Sequence, residues 1–134
     1  MKKKPGEPVE DGVHFRHSVF DDPSARALDR VGVVDVGSNS VRLVVFDGAA
    51  RSPAYFYNEK IMAGLGKGLA ETGRLNPDGR ARALAALKRF AALARGMDLP
   101  PLTCVATAAA REAADGPDFV REAEQATGLK LQVI

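Results

Sequence analysis

Two apolar runs separated by only four residues constrain this chain more than any other feature. They are Val31–Val36 and Val41–Phe46, joined by Gly37-Ser38-Asn39-Ser40. Both runs are rich in valine, whose branched side chain suits a pleated strand. Four residues cannot hold the crossover that parallel neighbours need, so the two strands are expected to pair antiparallel. Aromatic and β-prone residues after Pro53 predict a third strand over Ala54–Met62. The short connections make the three a meander.

The pattern then changes period. Gly64-Leu65-Gly66-Lys67-Gly68 opens a Gly-rich loop that reads on to Leu75. Asn76-Pro77-Asp78 has the form of a helix start: a capping side chain, proline at the first position and an acid in the first turn. Leu84, Leu87, Ala91 and Ala94 recur at helical spacing, and Gly96 marks the end. Residues 102–106 predict a fourth strand. A helix is expected just after Thr107, and a second one begins at Pro117 and stops before Gly128. Residues 129–134 predict a fifth strand. Strands four and five follow helices and should run parallel to the first. The order βββαβααβ makes this an α/β chain with a five-stranded mixed sheet.

Residues 1–30 differ from the rest. They are charged, broken by Pro5, Pro8 and Pro23, and without apolar period. They are expected to form a mobile extension, with a short helix over Ser24–Asp29. His14 and His17 could supply half of a metal site, but no cysteine lies near them. The domain is expected to span 31–134. Net charge is +2, and Lys2, Lys3 and Lys4 supply +3 of it, leaving −1 for the remainder. That balance argues against a DNA-binding surface. No apolar run approaches the ~20 residues of a membrane-spanning helix. Cys104 is the single cysteine, sits among apolar strand residues and is expected to be buried and inert. A chain with no disulfide to make fits a reducing, cytoplasmic setting.

The four linking residues carry the chemistry. Gly37 and Asn39 tolerate left-handed backbone and serine favours turns, so Gly37–Ser40 could be a plain hairpin turn. It also concentrates backbone N–H groups and three hydrogen-bonding side chains, which is how an anion-binding concavity is made. Asp35, between Val34 and Val36, is expected at a buried strand end, where a bare carboxylate is costly. Thr107 and Arg111 lie one helical turn apart and share a face. A guanidinium there could hold phosphate oxygens bidentately or pair with Asp115, four residues on. Gly64, Gly66 and Gly68 around Lys67 offer a second anion loop or a simple crossover. Glu59 and Lys60 read as a structural pair across the sheet.

The segments VVDVGSNSVRLVVFDG, NEK, GLGKGLAETGRL, ALAALKRFAALA and VATAAAREAADGPDFV occur in that order. Together they resemble the N-terminal half-domain of the exopolyphosphatase / guanosine pentaphosphate phosphohydrolase family, within the actin, hexokinase and Hsp70 ATPase superfamily. The resemblance covers Val31 to Ile134. It implies a ribonuclease H-like (actin-like ATPase) half-domain that hydrolyses terminal phosphoanhydrides of polyphosphate or guanosine pentaphosphate.

It also implies that Gly37, Ser38, Asn39 and Ser40 form the first phosphate loop. Thr107 and Arg111 would face the phosphates, with Arg111 neutralising transition-state charge. Mg²⁺ or another divalent cation is the implied cofactor, with Asp35 as its candidate ligand. A water-activating glutamate and a second phosphate loop are implied beyond Ile134. Residues 1–134 alone are therefore expected to be inactive. A non-catalytic polyphosphate- or nucleotide-binding or regulatory module is the alternative. The implied partners are the phosphate substrates, with neither DNA nor membrane, and a homodimer is allowed.

Overall fold

The computed structural model describes residues 30–47 and 54–134. The extension, its short helix and the His14/His17 pair lie outside the described residues. Five strands form one sheet: β1 (Arg30–Val36), β2 (Ser40–Asp47), β3 (Ala54–Met62), β4 (Thr103–Ala106) and β5 (Leu131–Val133). Their spatial order is β3-β2-β1-β4-β5. β1 pairs antiparallel with β2, and β2 with β3. β4 runs parallel to β1, and β5 to β4, as the intervening helices require. The helices are α1 (Leu69–Thr72), α2 (Pro77–Gly96), α3 (Ala108–Glu112) and α4 (Gly116–Thr127).

One sheet face is covered. Val34 and Val36 of β1 lie beside Leu43 and Val41 of β2 and Cys104 and Ala106 of β4. All six are buried. Onto them pack Ala83, Leu87 and Phe90 of α2 and Phe119 and Ala123 of α4. α2 also packs against α4. Both crossovers, β3 to β4 and β4 to β5, advance in the same direction across the sheet. Right-handed connections therefore stack their helices on one side. Phe90 is fully buried, and its loss to alanine would cost about 3–5 kcal/mol. The buried stripe of α2 runs through Ala83, Ala86, Leu87, Phe90, Ala91 and Ala94, so Leu84 lies on its flank.

The helix ends follow their sequence signals. Asn76 caps α2 by accepting from the Gly79 N–H at 2.8 Å, with Pro77 next. Gly128 closes α4 at φ 77°. One element was not foreseen. The Gly-rich loop contains the single turn α1, held between Gly68 at φ 78° and Gly73 at φ 71°. Left-handed glycines at both ends let the chain enter and leave that turn sharply.

The opposite face carries Val31, Asp35, Lys60 and Met62, all exposed. Val31 keeps 42% and Met62 62% of its surface open. The structure corrects two expectations here. Asp35 is exposed, not at a buried strand end: neighbours of a strand residue point to the other face, so Val34 and Val36 inward place Asp35 outward. Glu59 and Lys60 do not pair, for the same reason.

Glu59 instead faces α2. It accepts from Arg89 Nε at 2.5 Å and Nη2 at 3.0 Å, and from the Tyr57 hydroxyl. Chiefly the Arg89 hydrogen bonds, then that of Tyr57, lower the Glu59 carboxyl from 4.5 to about 2. A carboxylate with a depressed folded-state pKa adds stability above its unfolded pKa and loses it as pH falls through the folded one. Wild type should therefore lose stability between pH 4.5 and 2 more steeply than Glu59→Gln. Acid denaturation of the two, with an NMR titration of the Glu59 carboxyl, measures this. A midpoint near 4.5 would remove the bridge.

Candidate functional site

The turn after β1 is closed by its own backbone: the Gly37 N–H donates to Ser40 O at 2.9 Å. The carbonyls inside it turn toward the chain leaving β3. Asn39 O accepts from both the Ala63 and Gly64 N–H groups at 2.9 Å, and Ser38 O accepts from the Gly66 N–H at 2.9 Å. The N–H groups of Ser38 and Asn39 have no acceptor among the described residues, and neither side chain makes a hydrogen bond there. The turn thus has a polarity. The Ser38 and Asn39 oxygens are tied down and their N–H groups are free among the described residues, which is the arrangement an anion requires.

The Gly-rich segment forms the brace beneath this turn. A Cβ on Gly66 would lie 3.1 Å from Ser38 Cβ and 3.4 Å from Ala109 Cβ. Gly66 is thus wedged between the turn and α3. A Cβ on Gly79, in the first turn of α2, would come within 2.3 Å of Gly64 O. Arg82 Nε donates to Ala63 O at 3.1 Å. The long helix therefore presses on the Gly-rich segment, and that segment holds the turn. The glycine spacing was the sequence signal for this role, although it did not say what the glycines approach.

Thr107 lies at the end of β4. Its N–H donates to Val36 O at 3.1 Å and its hydroxyl reaches the same oxygen at 3.4 Å. This docks the Thr107–Arg111 block beside the entry to the turn. α3 has only five residues, so its dipole is a weak source of field, and the Arg111 charge dominates there.

Arg111 is half exposed. Nη1 donates to Ile134 O at 2.6 Å and Nη2 to Glu112 Oε2 at 3.0 Å. The alternative pair with Asp115 does not form. Asp115 accepts from the Leu75 N–H at 2.9 Å, with Arg80 at 3.5 Å and Arg74 at 3.8 Å. Its part in tying residues 73–80 to α3 and α4 had no signal in the sequence.

Gly37, Thr107 and Ile134 thus follow the carboxyl ends of three parallel strands. Ligands of open α/β sheets bind outside such ends. Asp35 adds an exposed carboxylate on the open face, with Arg42 as its cross-strand neighbour. Among the described residues no three His, Cys, Asp or Glu side chains gather to hold a metal. Cys104 is buried, and burial pushes its thiol up to about 11, so it is unreactive. No helix of the described residues is long and apolar enough to cross a membrane.

Residues 33–134 match the family described as the Ppx/GppA phosphatase family. Exopolyphosphatase 2 of Mycobacterium tuberculosis is 34% identical over 109 residues, covering 78% of this chain and 34% of that protein. Exopolyphosphatase 1 of Mycobacterium bovis is 29% identical over 106 residues, covering 78% and 31%. The Aquifex aeolicus member of the Ppx/GppA family superposes with a TM-score of 0.72 at 30% identity, over 78% of this chain and 34% of that one. An exopolyphosphatase from Cytophaga hutchinsonii gives 0.72 at 28% identity with the same coverage. The chain spans about a third of the length of these relatives.

Gly66→Ala and Gly68→Ala separate contact from backbone strain. The first should force Ser38 to yield, at about 1–3 kcal/mol for overpacking, and shift the amides of residues 37–40 and 107–111. The second meets nothing within 4 Å but holds φ 78°. It should cost roughly 1–2 kcal/mol and leave those amides in place. Thermal melts and amide spectra of both variants test this. Undisturbed 37–40 amides in Gly66→Ala would dismiss the brace.

Proposed function

The chain belongs to the Ppx/GppA phosphatase family, and from that premise we propose that residues 31–134 form the phosphate-binding half of a phosphohydrolase. The proposed reaction releases terminal phosphoryl groups from inorganic polyphosphate. The observation that carries this reading is the polarity of the Gly37–Ser40 turn, whose free N–H groups, hydroxyls and amide suit phosphate oxygens. The exopolyphosphatase relatives favour polyphosphate over the 5′ end of guanosine pentaphosphate. Among the described residues no feature singles out a guanine base.

In this reading, water attacks the terminal phosphorus in line with the leaving phosphate. The Ser38 and Asn39 N–H groups, with the Arg111 guanidinium, offset the charge that develops on the equatorial oxygens. Arg111 gives up the Ile134 carbonyl and Glu112 to do so. Asp35, the hydroxyls of Ser38, Ser40 and Thr107, and the phosphate itself form an all-oxygen donor set. One carboxylate beside substrate phosphates is how Mg²⁺ is usually held, so the residues fit that ion. When bound, it would supply charge neutralisation at the phosphate oxygens.

Apart from Asp35, the carboxylates near the site serve other contacts or face away. Asp115 pairs with Arg80 and Arg74 and Asp118 with Arg80, while Glu112, released when Arg111 turns to phosphate, points about 100° away from Arg111 around the helix. None is placed to position the attacking water, so residues 1–134 alone are expected to bind but not to turn over. Calorimetry should show polyphosphate binding that weakens steeply with salt, because the contacts are electrostatic. Arg111→Ala should lower the affinity by about 1.5–3 kcal/mol, the range for charge-assisted hydrogen bonds. Unchanged affinity would remove Arg111 from the site. Phosphate release with Mg²⁺ should stay at background, and sustained turnover would show that one of the dismissed carboxylates serves as the base.

A further inference from the structure

The Gly37–Ser40 turn and Arg111 belong to different elements, and a short relay of hydrogen bonds joins them. Ser38 O accepts from the Gly66 N–H at 2.9 Å. The residue before Gly66 continues the relay: Leu65 O accepts from the Asn76 N–H at 3.0 Å. The residue before Asn76 completes it, and the Leu75 N–H donates to Asp115 Oδ1 at 2.9 Å. Beside that contact the Ala114 N–H donates to Gly73 O at 2.9 Å. Leu65 and Leu75 are buried, so a link lost there leaves a backbone group poorly placed to find water instead.

The relay matters because α3 cannot hold Arg111 by itself. It has five residues, and Ala113 after it is extended at ψ 142°, so the chain has left the helix two residues beyond Arg111. Thr107 docks the start of α3 through Val36 O. Arg111 stands toward the other end, the end that Asp115 ties down. The links at Ser38 and Leu65 run from backbone to backbone and survive a change of side chain. Asp115 supplies the one side-chain link.

The Asp115 carboxylate has two tasks. Oδ1 takes the Leu75 N–H, while Oδ2 faces Arg80 at 3.5 Å and Arg74 at 3.8 Å. Arg80 has two closer acids, Asp118 at 3.0 Å and Glu122 at 2.9 Å, and the Arg74 side chain is 65% exposed. The ion pairs at Oδ2 are therefore long and replaceable. The Oδ1 contact is short, and its donor is a fixed backbone group.

We propose that Asp115 is a positioning residue of the phosphate site. Its Oδ1 sets the spacing between the Gly37–Ser40 turn and Arg111, so that the free N–H groups and the guanidinium converge on one phosphoryl group. The proposal rests on the reading of that turn and Arg111 as the phosphate site. Asp115 itself touches no ligand. A fixed negative charge four residues from Arg111 does nothing to attract an anion, so its contribution is that of a placed acceptor.

Two substitutions in the 134-residue chain separate acceptor from charge. Asp115→Asn keeps an oxygen for the Leu75 N–H and removes the charge. Asp115→Glu keeps the charge and displaces the oxygen by a methylene. Without ligand, Asp115→Glu should shift the amides of 63–66 and 107–111 and the Arg111 Nε resonance, while Asp115→Asn leaves them near wild type. Calorimetry with inorganic polyphosphate of tens of units should show affinity reduced about five- to tenfold in Asp115→Glu, a part of the loss expected of Arg111→Ala. Asp115→Asn should stay within about twofold of wild type, the acceptor being kept. Adding Asp115→Glu to Arg111→Ala should cost no further affinity, because both act through one contact. Asp118→Asn, which removes a closer partner of Arg80, is the control and should bind as wild type does. Equal losses in the Asn and Glu variants, or a loss in Asn alone, would show that the charge matters and overturn the proposal. Additive losses in the double variant would do the same, as the mark of a general weakening of structure. So would unmoved ligand-free amides in Asp115→Glu. If polyphosphate moves no wild-type amide, the phosphate reading of the site fails, and the ligand-free shifts alone decide whether Asp115 sets the spacing.

Discussion

The backbone of a four-residue turn has more hydrogen-bonding groups than the turn can satisfy, and the site depends on how the surplus is resolved. Asn39 O and Ser38 O are taken by N–H groups of residues 63–66. Oxygens so engaged are kept away from the mouth of the turn, and the free N–H groups of Ser38 and Asn39 remain there. A hairpin with solvated carbonyls would have no such bias. The proposed anion preference is thus built by residues 25 or so positions downstream, through three backbone hydrogen bonds of about 1 kcal/mol each. The pressure that maintains them comes from α2, whose Gly79 allows its first turn to sit directly on Gly64 and Leu65.

The same arrangement explains why small residues crowd this part of the sequence. Gly66, Ala109 and Ser38 meet at one point. A larger side chain at any of them would separate the turn from the Thr107–Arg111 block. Gly116 is comparable: a Cβ there would come within 1.9 Å of Ala110 O, so α4 can leave α3 at close range only with glycine in place. Packing and site geometry are set by the same contacts. One-sided stacking of the helices has a further consequence. It leaves Asp35, Lys60 and Met62 on an uncovered sheet face.

Most of the architecture was legible because its signals are local. Valine-rich runs pointed to β1 and β2, and β3 appeared over the expected span. Asn76-Pro77 and Gly128 marked helix ends through capping chemistry that acts within a few residues. What the sequence hid was relational. α1 is four residues long, too short to show a helical period. The glycines at 64 and 66 were visible, but their neighbours Arg82, Gly79 and Ser38 come from other elements. The burial of Asp35 was misjudged although period-two alternation already placed it opposite Val34 and Val36. Its cost argument assumed a buried site that the pleat excludes. The Gly37–Ser40 turn and Thr107 could be brought together only by the parallel pairing of β1 with β4, a contact across about 70 residues of sequence.

Arg111 shows how such a distant contact shapes chemistry. On sequence alone its natural partner is Asp115, one turn along. Had that pair formed, a phosphate would have had to displace a carboxylate that is mostly buried, at a cost set by leaving that carboxylate unpaired. Instead Leu75, Arg80 and Arg74 occupy Asp115. Arg111 is left with half-exposed contacts to Glu112 and to the Ile134 backbone oxygen. An exposed ion pair contributes about 0–1 kcal/mol. A phosphate can offer the guanidinium two charge-assisted hydrogen bonds at once, roughly twice as strong as neutral ones. On the proposed reading, the exchange would therefore run toward phosphate. The residues that fix Asp115 make Arg111 available, although none of them needs to touch the ligand to do so.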